Sequence, residues 1–180
     1  DSSANIRANV DENGAITDIS GIAVTVTTAS NVTQYGQLVT AAGNNGSVAG
    51  AVADAGSSLT NVTFPDATSI TATISNANDL TAVTLDSDVT HIDLNDVTDV
   101  LLDINDLTNR TIVNTSGNGS YKVKDTAANL AGAAEALLSD QTIVVDDSST
   151  AATTTEINSI QTKMVSNCLL YTSPSPRDPM

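Results

Sequence analysis

Cysteine is nearly missing: Cys168 is the only one in 180 residues. One Cys cannot build a disulfide scaffold, and paired-thiolate zinc chemistry goes with it. Cations are almost as scarce. Six Lys and Arg stand against 21 Asp and Glu, a formal net charge of −15. Six scattered cations cannot make the basic face that nucleic acid needs. There is no Trp, one Phe, three Tyr and one His. His91 therefore lacks the partners that a triad or a His-built metal site requires. No run of about 20 apolar residues is present, which excludes a membrane-spanning helix. Disorder is excluded as well, because 40% of residues are hydrophobic and Val, Ile and Leu recur at fixed spacings. Asp supplies 18 of the 21 acids, and 26 Thr and 17 Asn accompany them. The length suits one domain or one stretch of a repeat array.

The composition changes abruptly near the C-terminus. Cys168-Leu-Leu-Tyr-Thr-Ser-Pro-Ser-Pro-Arg-Asp178 resembles, over eleven consecutive residues, the translation of a transposase adapter used to prepare sequencing libraries. Residues 168–180 are accordingly read as a non-native tail and set aside. The lone Cys and three of the four Pro leave with it. The start at Asp1, without Met or signal peptide, predicts a cut N-terminus.

An internal repeat runs from Leu59 to Ile112. Its pattern is apolar, two residues, apolar, one residue, apolar: Leu59-Val62-Phe64, Leu80-Val83-Leu85, Val89-Ile92-Leu94 and Val97-Val100-Leu102, with a weak copy at Leu107-Arg110-Ile112 and a degenerate one at Ile70–Ile74. The starts at 59, 70, 80, 89, 97 and 107 are 8 to 11 residues apart. Val, Ile and Thr favour strands. Asp79, Asp88, Asp96 and Asp106, one before each of the starts at 80, 89, 97 and 107, favour turns. The period is too short for a leucine-rich repeat. Two or three units would complete one coil. The two-residue turns of tight hairpins are missing between units, which favours a parallel solenoid over an antiparallel meander.

The flanks read as strand and helix in alternation. Tyr121–Lys124 predicts a strand. Asp125–Leu138 predicts a capped helix with Ala127, Leu130, Ala134, Leu137 and Leu138 on one face. Thr142–Val145 predicts another strand. A second helix through Glu156, Ile157 and Ile160 is expected to be capped by Ser148, Ser149 or Thr150. Near the start, Ala23–Thr27 predicts a strand, and Ser30 or Asn31 caps a helix through Val32, Tyr35, Leu38 and Val39. Residues 43–58, rich in Gly, Ala and Ser, predict a loose helix around Val48–Val52 or a loop. Four segments result: residues 1–58, a strand-helix half-module; 59–116, short-period β-repeats; 117–167, a strand-helix-strand-helix module; and 168–180, the tail.

The Val123-Lys-Asp-Thr-Ala-Ala-Asn-Leu130 element, its Ala-rich continuation and the following Ile-Val-Val resemble a module repeated in very large bacterial surface proteins of adhesin-like, surface-layer-like or matrix type. The resemblance covers residues 121–162, and 23–42 as a weaker half-module. It implies an extracellular or cell-surface location, neighbouring repeats of the same chain as partners, and cell-surface glycans or matrix beyond them. It carries no catalytic residues.

The sharpest local feature is an Asp ladder, with eight Asp between Asp79 and Asp106. Stacked turns would bring carboxylates together, and hard oxygen ligands suit Ca²⁺. Asp86, Asp88, Asp93, Asp96, Asp103 and Asp106 are the candidate calcium ligands, with calcium the only cofactor expected. The alternative is a solvated acidic surface. The Gly-Gly-x-Gly-x-Asp nonapeptide of calcium-binding solenoids is missing, as residues 79–116 hold no Gly; residues 11–14 lack EF-hand spacing. Clustered Asp also suits glycan cleavage by paired carboxylates, yet the span from Phe64 to Tyr121 has no aromatic platform between its ends and one cation, Arg110. Thr pairs at Thr25/Thr27, Thr60/Thr63, Thr71/Thr73 and Thr81/Thr84 suggest an ice-binding face, but their spacing alternates. The expected fold is mainly β, a parallel β-solenoid-like stack of short strands with interspersed short helices; an α/β repeat solenoid is the alternative. The expected function is a non-enzymatic structural or adhesive segment of a large secreted bacterial surface protein. The alternatives are a β-helical polysaccharide-active enzyme domain and a calcium-dependent or ice-binding module.

Overall fold

The computed structural model describes residues 19–44, 46–60, 63–64, 66–76, 80, 83–164 and, for backbone alone, 169–172. Val62, Asp79, Thr81, residues 11–14 and Cys168 lie outside the described residues. Strand β1 (Ala23–Thr25) leads to helix α1 (Val32–Ala42) and strand β2 (Ser47–Ala55). A 3-10 turn at Gly56–Ser58 precedes β3 (Ala67–Thr73), β4 (His91–Asp93) and β5 (Val100–Leu102). Then come α2 (Ile104–Asn109), β6 (Thr111–Val113), β7 (Tyr121–Asp125), α3 (Ala127–Gly132), α4 (Glu135–Leu138), β8 (Ile143–Asp146), α5 (Thr154–Lys163) and β9 (Leu169–Thr172).

Among the described residues the strands form two sheets, in the orders β1-β2-β3-β4-β6 and β5-β7-β8-β9, and every pairing there is parallel. Parallel neighbours need crossover chain between them. Here α1 joins β1 to β2, α3 and α4 join β7 to β8, and α5 joins β8 to β9. From β3 to β6 and from β5 to β8 the registers advance in near-equal steps, whereas β1 to β2 steps by 24, β2 to β3 by 17 to 18 and β8 to β9 by 26. Ala72 pairs with Ile92 and Ile92 with Ile112, 20 residues each time. Leu102 pairs with Val123 and Val123 with Ile143, steps of 21 and 20. Two of the short sequence units thus span one step.

Side-chain alternation sends one apolar column from each sheet inward. Ala72 and Ile92 are fully buried in the first sheet, and Val123 and Ile143 in the second. Leu85, Leu94, Val100 and Leu102 are buried as their spacing predicted, and Val83 is half-buried. Leu101 is half-buried while Leu102 is 1% exposed, so the expected register holds. Two apolar clusters result, one from Val26 to Leu102 and one from Val123 to Ile160. Leu107 and Tyr121 pack against both.

The expectation of a mainly β chain is corrected to an α/β arrangement, in which parallel sheets and interspersed helices take comparable shares. Local capping explains much of the helix. Asn31 caps α1 in a box with Gln34, Thr126 caps α3, and Thr153 caps α5 in a box with Glu156. The α5 cap is thus Thr153, not residues 148–150. The single helix expected over 125–138 is two. It breaks after Gly132, a poor helix former, and Ala133 is extended and buried where Ala134 is exposed. Residues 47–55 form a strand, not a loose helix or loop. Val48, Gly50 and Val52 alternate inward, and a Cβ on Gly50 would lie 2.9 Å from the Val26 Cβ; the small residue lets the backbones close. Finally, the segment set aside as tail contributes a strand, because Leu169–Thr172 pairs with β8. An open parallel edge offers unpaired N–H and C=O groups to any extended chain.

Candidate functional site

The ladder carboxylates fall into two environments. The first is the turns. Asp86 Oδ1 accepts the Asp88 N–H at 3.1 Å, closing the turn that holds Asp88 itself. Asp93 Oδ2 accepts the Thr115 hydroxyl at 2.6 Å, and its Oδ1 accepts the N–H of Thr115 and of Asn95, each at 3.1 Å. Burial pushes the Asp93 carboxyl up, but the Thr115 and Asn95 hydrogen bonds outweigh it and hold it below its ordinary value. Asp96 Oδ1 accepts the Asn118 N–H at 3.0 Å. Asn95, Asp96 and Asp99 adopt positive φ, which Asn and Asp tolerate better than other side chains. Asp93 and Asp96 therefore tie one turn to the turn some 22 residues later.

The second environment surrounds α2. Asp103 caps the helix, accepting the Asp106 N–H at 2.7 Å. Asp106 was expected at a turn before Leu107, and instead sits inside the helix, buried. Its Oδ1 pairs with Arg110 Nη1 at 3.0 Å. Arg110 fills an apolar position of the weak repeat copy, and its side chain is 3% exposed. Its Nη2 donates to the carbonyls of Leu85 and Asp86, at 3.2 and 3.1 Å. Burial, then the Asp103 charge, pushes the Asp106 carboxyl up to about 6; Arg110 opposes without cancelling them.

Asp103 and Asp106 line a cleft of about 220 Å³ with Asp125, Asp146 and Lys124. Lys124 Nζ pairs with Asp146 Oδ2 at 3.2 Å. Hydrogen bonds to Ser148 and Lys124 hold the Asp146 carboxyl low. The cleft brings together two of the six candidate calcium ligands, and adds Asp125 and Asp146, which the ladder did not include. The signal for these two was their place as the last residue of a strand, β7 for Asp125 and β8 for Asp146. Among the described residues, no group of three or more His, Cys, Asp or Glu side chains is placed to hold a metal ion. His91 lies on β4, half-buried, with Nδ1 2.7 Å from Thr90 Oγ1. No helix among the described residues is long and apolar enough to cross a membrane. No protein-family model matches the chain, and comparison with curated proteins and with solved structures returns no match.

Proposed function

We propose that this chain is a non-catalytic spacing or adhesive segment of a large, repetitive bacterial surface protein, and that its parallel strands form a β-solenoid with helical insertions. The observation that carries the reading is the near-constant step of the registers, 20 to 21 residues from Ala72 to Ile112 and from Leu102 to Ile143. A chain that stacks on itself in equal steps gains length with each repeat, and neighbours bury what no single repeat can. The use of Asp93, Asp96 and Asp103 within the stack supports it too, since these carboxylates are spent on architecture. Neighbouring repeats are the partners closest at hand, and cell-surface glycans or matrix are the partners beyond. Incubation with pectin and alginate should give no cleavage products. Turnover that disappears in Asp103→Asn or Asp106→Asn, with the fold intact, would promote the polysaccharide-active alternative.

A second reading, calcium binding, is favoured by one observation: Asp103, Asp106, Asp125 and Asp146 line one cleft, where burial and then the charges of Asp103 and Asp125 raise Asp106. A divalent cation would relieve that repulsion. Millimolar calcium should then raise the melting temperature, and Asp103→Asn with Asp106→Asn should abolish the rise. A response that survives both changes would move the site to Asp86, Asp88, Asp93 and Asp96. No response would leave an acidic surface without calcium.

A further inference from the structure

Two Asp residues, 71 positions apart in sequence, make the same four-atom arrangement. Asp54, in β2, accepts the N–H of Ala55 on Oδ1 at 2.8 Å and the N–H of Val32 on Oδ2 at 3.1 Å. Asp125, the last residue of β7, accepts the N–H of Thr126 on Oδ1 at 2.7 Å and the N–H of Ile104 on Oδ2 at 3.1 Å. Val32 and Ile104 are the first residues of α1 and α2, where a backbone N–H has no partner within its own helix. The registers explain the coincidence. Ser30 bridges to Val52, which sets Val32 level with Asp54; Leu102 pairs with Val123, which sets Ile104 level with Asp125. The same reckoning from Asp125 and Val145 sets Ala127, the first residue of α3, level with Asp147. Asp147 is 5% exposed, and its Oδ1 is buried without a hydrogen-bond partner.

We propose that Asp54 and Asp125 are carboxylate forks by which each strand recognises the coil before it: one oxygen shapes the fork's own strand end, and the other closes the helix of the preceding coil. The partner so selected is a parallel strand of the same chain carrying Asp level with the helix start. The proposal rests on the stacked-coil part of the reading above and not on its surface-protein part, since it concerns only how one coil accepts the next. It is specific to a carboxylate. Asn offers one acceptor oxygen and turns an N–H₂ toward the second donor, so it can serve one N–H and must oppose the other. Glu adds a methylene and displaces the fork from both.

The test is amide hydrogen exchange, followed residue by residue in the full chain for Asp54→Ala, Asp54→Asn, Asp125→Ala and Asp125→Asn. The two coils report separately, so failure of one variant to fold leaves the other pair informative. In Asp125→Ala the Ile104 amide should exchange about tenfold faster, and in Asp54→Ala the Val32 amide likewise. The paired strand amides of β3 and β4 should change much less. Asn can keep at most one amide of each pair, so Ile104 or Thr126 in Asp125→Asn, and Val32 or Ala55 in Asp54→Asn, should accelerate as in the Ala variant. Wild-type exchange at both amides of a pair in the Asn variants would show that a single acceptor suffices, and would overturn the fork. Equal acceleration of every amide would also overturn it, since it would reduce both residues to general contributors to stability.

Discussion

Replacing Arg110 with Met should destabilise the chain by about 3–5 kcal/mol near pH 7.5, read as a lower urea midpoint. The guanidinium is almost wholly removed from water and holds Asp106 Oδ1 and the carbonyls of Leu85 and Asp86. Met fills much of the same space but leaves a buried carboxylate and two carbonyls without their donor. The double change Arg110→Met with Asp106→Leu should recover most of the loss, because an apolar pair of similar volume often replaces a buried ion pair at little cost. The pH dependence is a separate signature. Asp106 titrates in the fold at about 6, above its ordinary 3.8, so the folded state binds that proton more tightly than the unfolded chain. The stability this group contributes is complete below pH 3.8 and is lost as pH rises through 6. The wild type should therefore gain stability on going from pH 7.5 to 5, and the Arg110→Met deficit should shrink over the same interval. Below about pH 4 the balance reverses, because Asp93 and Asp146, both held low, lose their contributions on protonation. An Arg110→Met variant within 1 kcal/mol of wild type at pH 7.5 would show that the Asp106 carboxylate and the two carbonyls find water or other donors once the guanidinium is gone.

Much of the architecture was legible because it rests on local rules. Val, Ile and Leu spacing placed Ile92, Leu94, Val100 and Leu102 inward, and all four are buried. Asn31 was one of two residues expected to cap the first helix, and does. The strand-helix-strand-helix order of residues 121–163 follows from Val and Lys alternation, a Thr cap and Ala-rich chain. What composition concealed was β2. Gly, Ala and Ser carry little strand preference, and only the approach of Gly50 to Val26 shows why a bulkier sequence would not fit. The break after Gly132 was hidden for the opposite reason: the Ala and Leu on either side each favour helix. The proportion of helix was underestimated because a short apolar period was read as strand throughout, whereas Leu107 sits in α2.

The acidic pattern was legible as a pattern, and less so in its roles. Asp at regular intervals correctly implied turns at Asp88 and Asp96. Spacing alone could not separate a carboxylate that faces water from one that faces an N–H 21 residues away, because that depends on register. Asp125 sits at the end of a strand like many others in the chain. Its reach to Ile104 becomes visible only once Leu102 and Val123 are paired. Arg110 was conspicuous as the lone cation of its span, and its occupation of an apolar slot was the available sign that a carboxylate must accompany it into the interior.

Truncating Ile92 to Ala should cost about 2–5 kcal/mol, while Leu101→Ala, one position before a buried column, should cost well under half as much. Ile92 is fully buried and stacks in register between Ala72 and Ile112. It is the middle of three successive residues in one column. Removing three carbons leaves a cavity whose floor and ceiling belong to the two neighbouring strands. Strand pairing fixes the distance between strands at the usual spacing of about 4.8 Å, so the neighbours cannot close the gap by moving together. A helix–helix contact could relax by sliding; a hydrogen-bonded parallel ladder has no such freedom without losing its register. The loss at Ile92 should accordingly lie near the upper end of that range. The small Ala72 beside it cannot rotate in to fill the space, so Ala72→Val in the Ile92→Ala background should restore part of the stability through the neighbouring strand. Chemical denaturation of the three variants measures this directly. Equal losses at Ile92 and Leu101 would mean that the side chains alternate differently along β4 and β5. An Ile92→Ala loss below 1 kcal/mol would mean that the paired strands can settle onto one another after all.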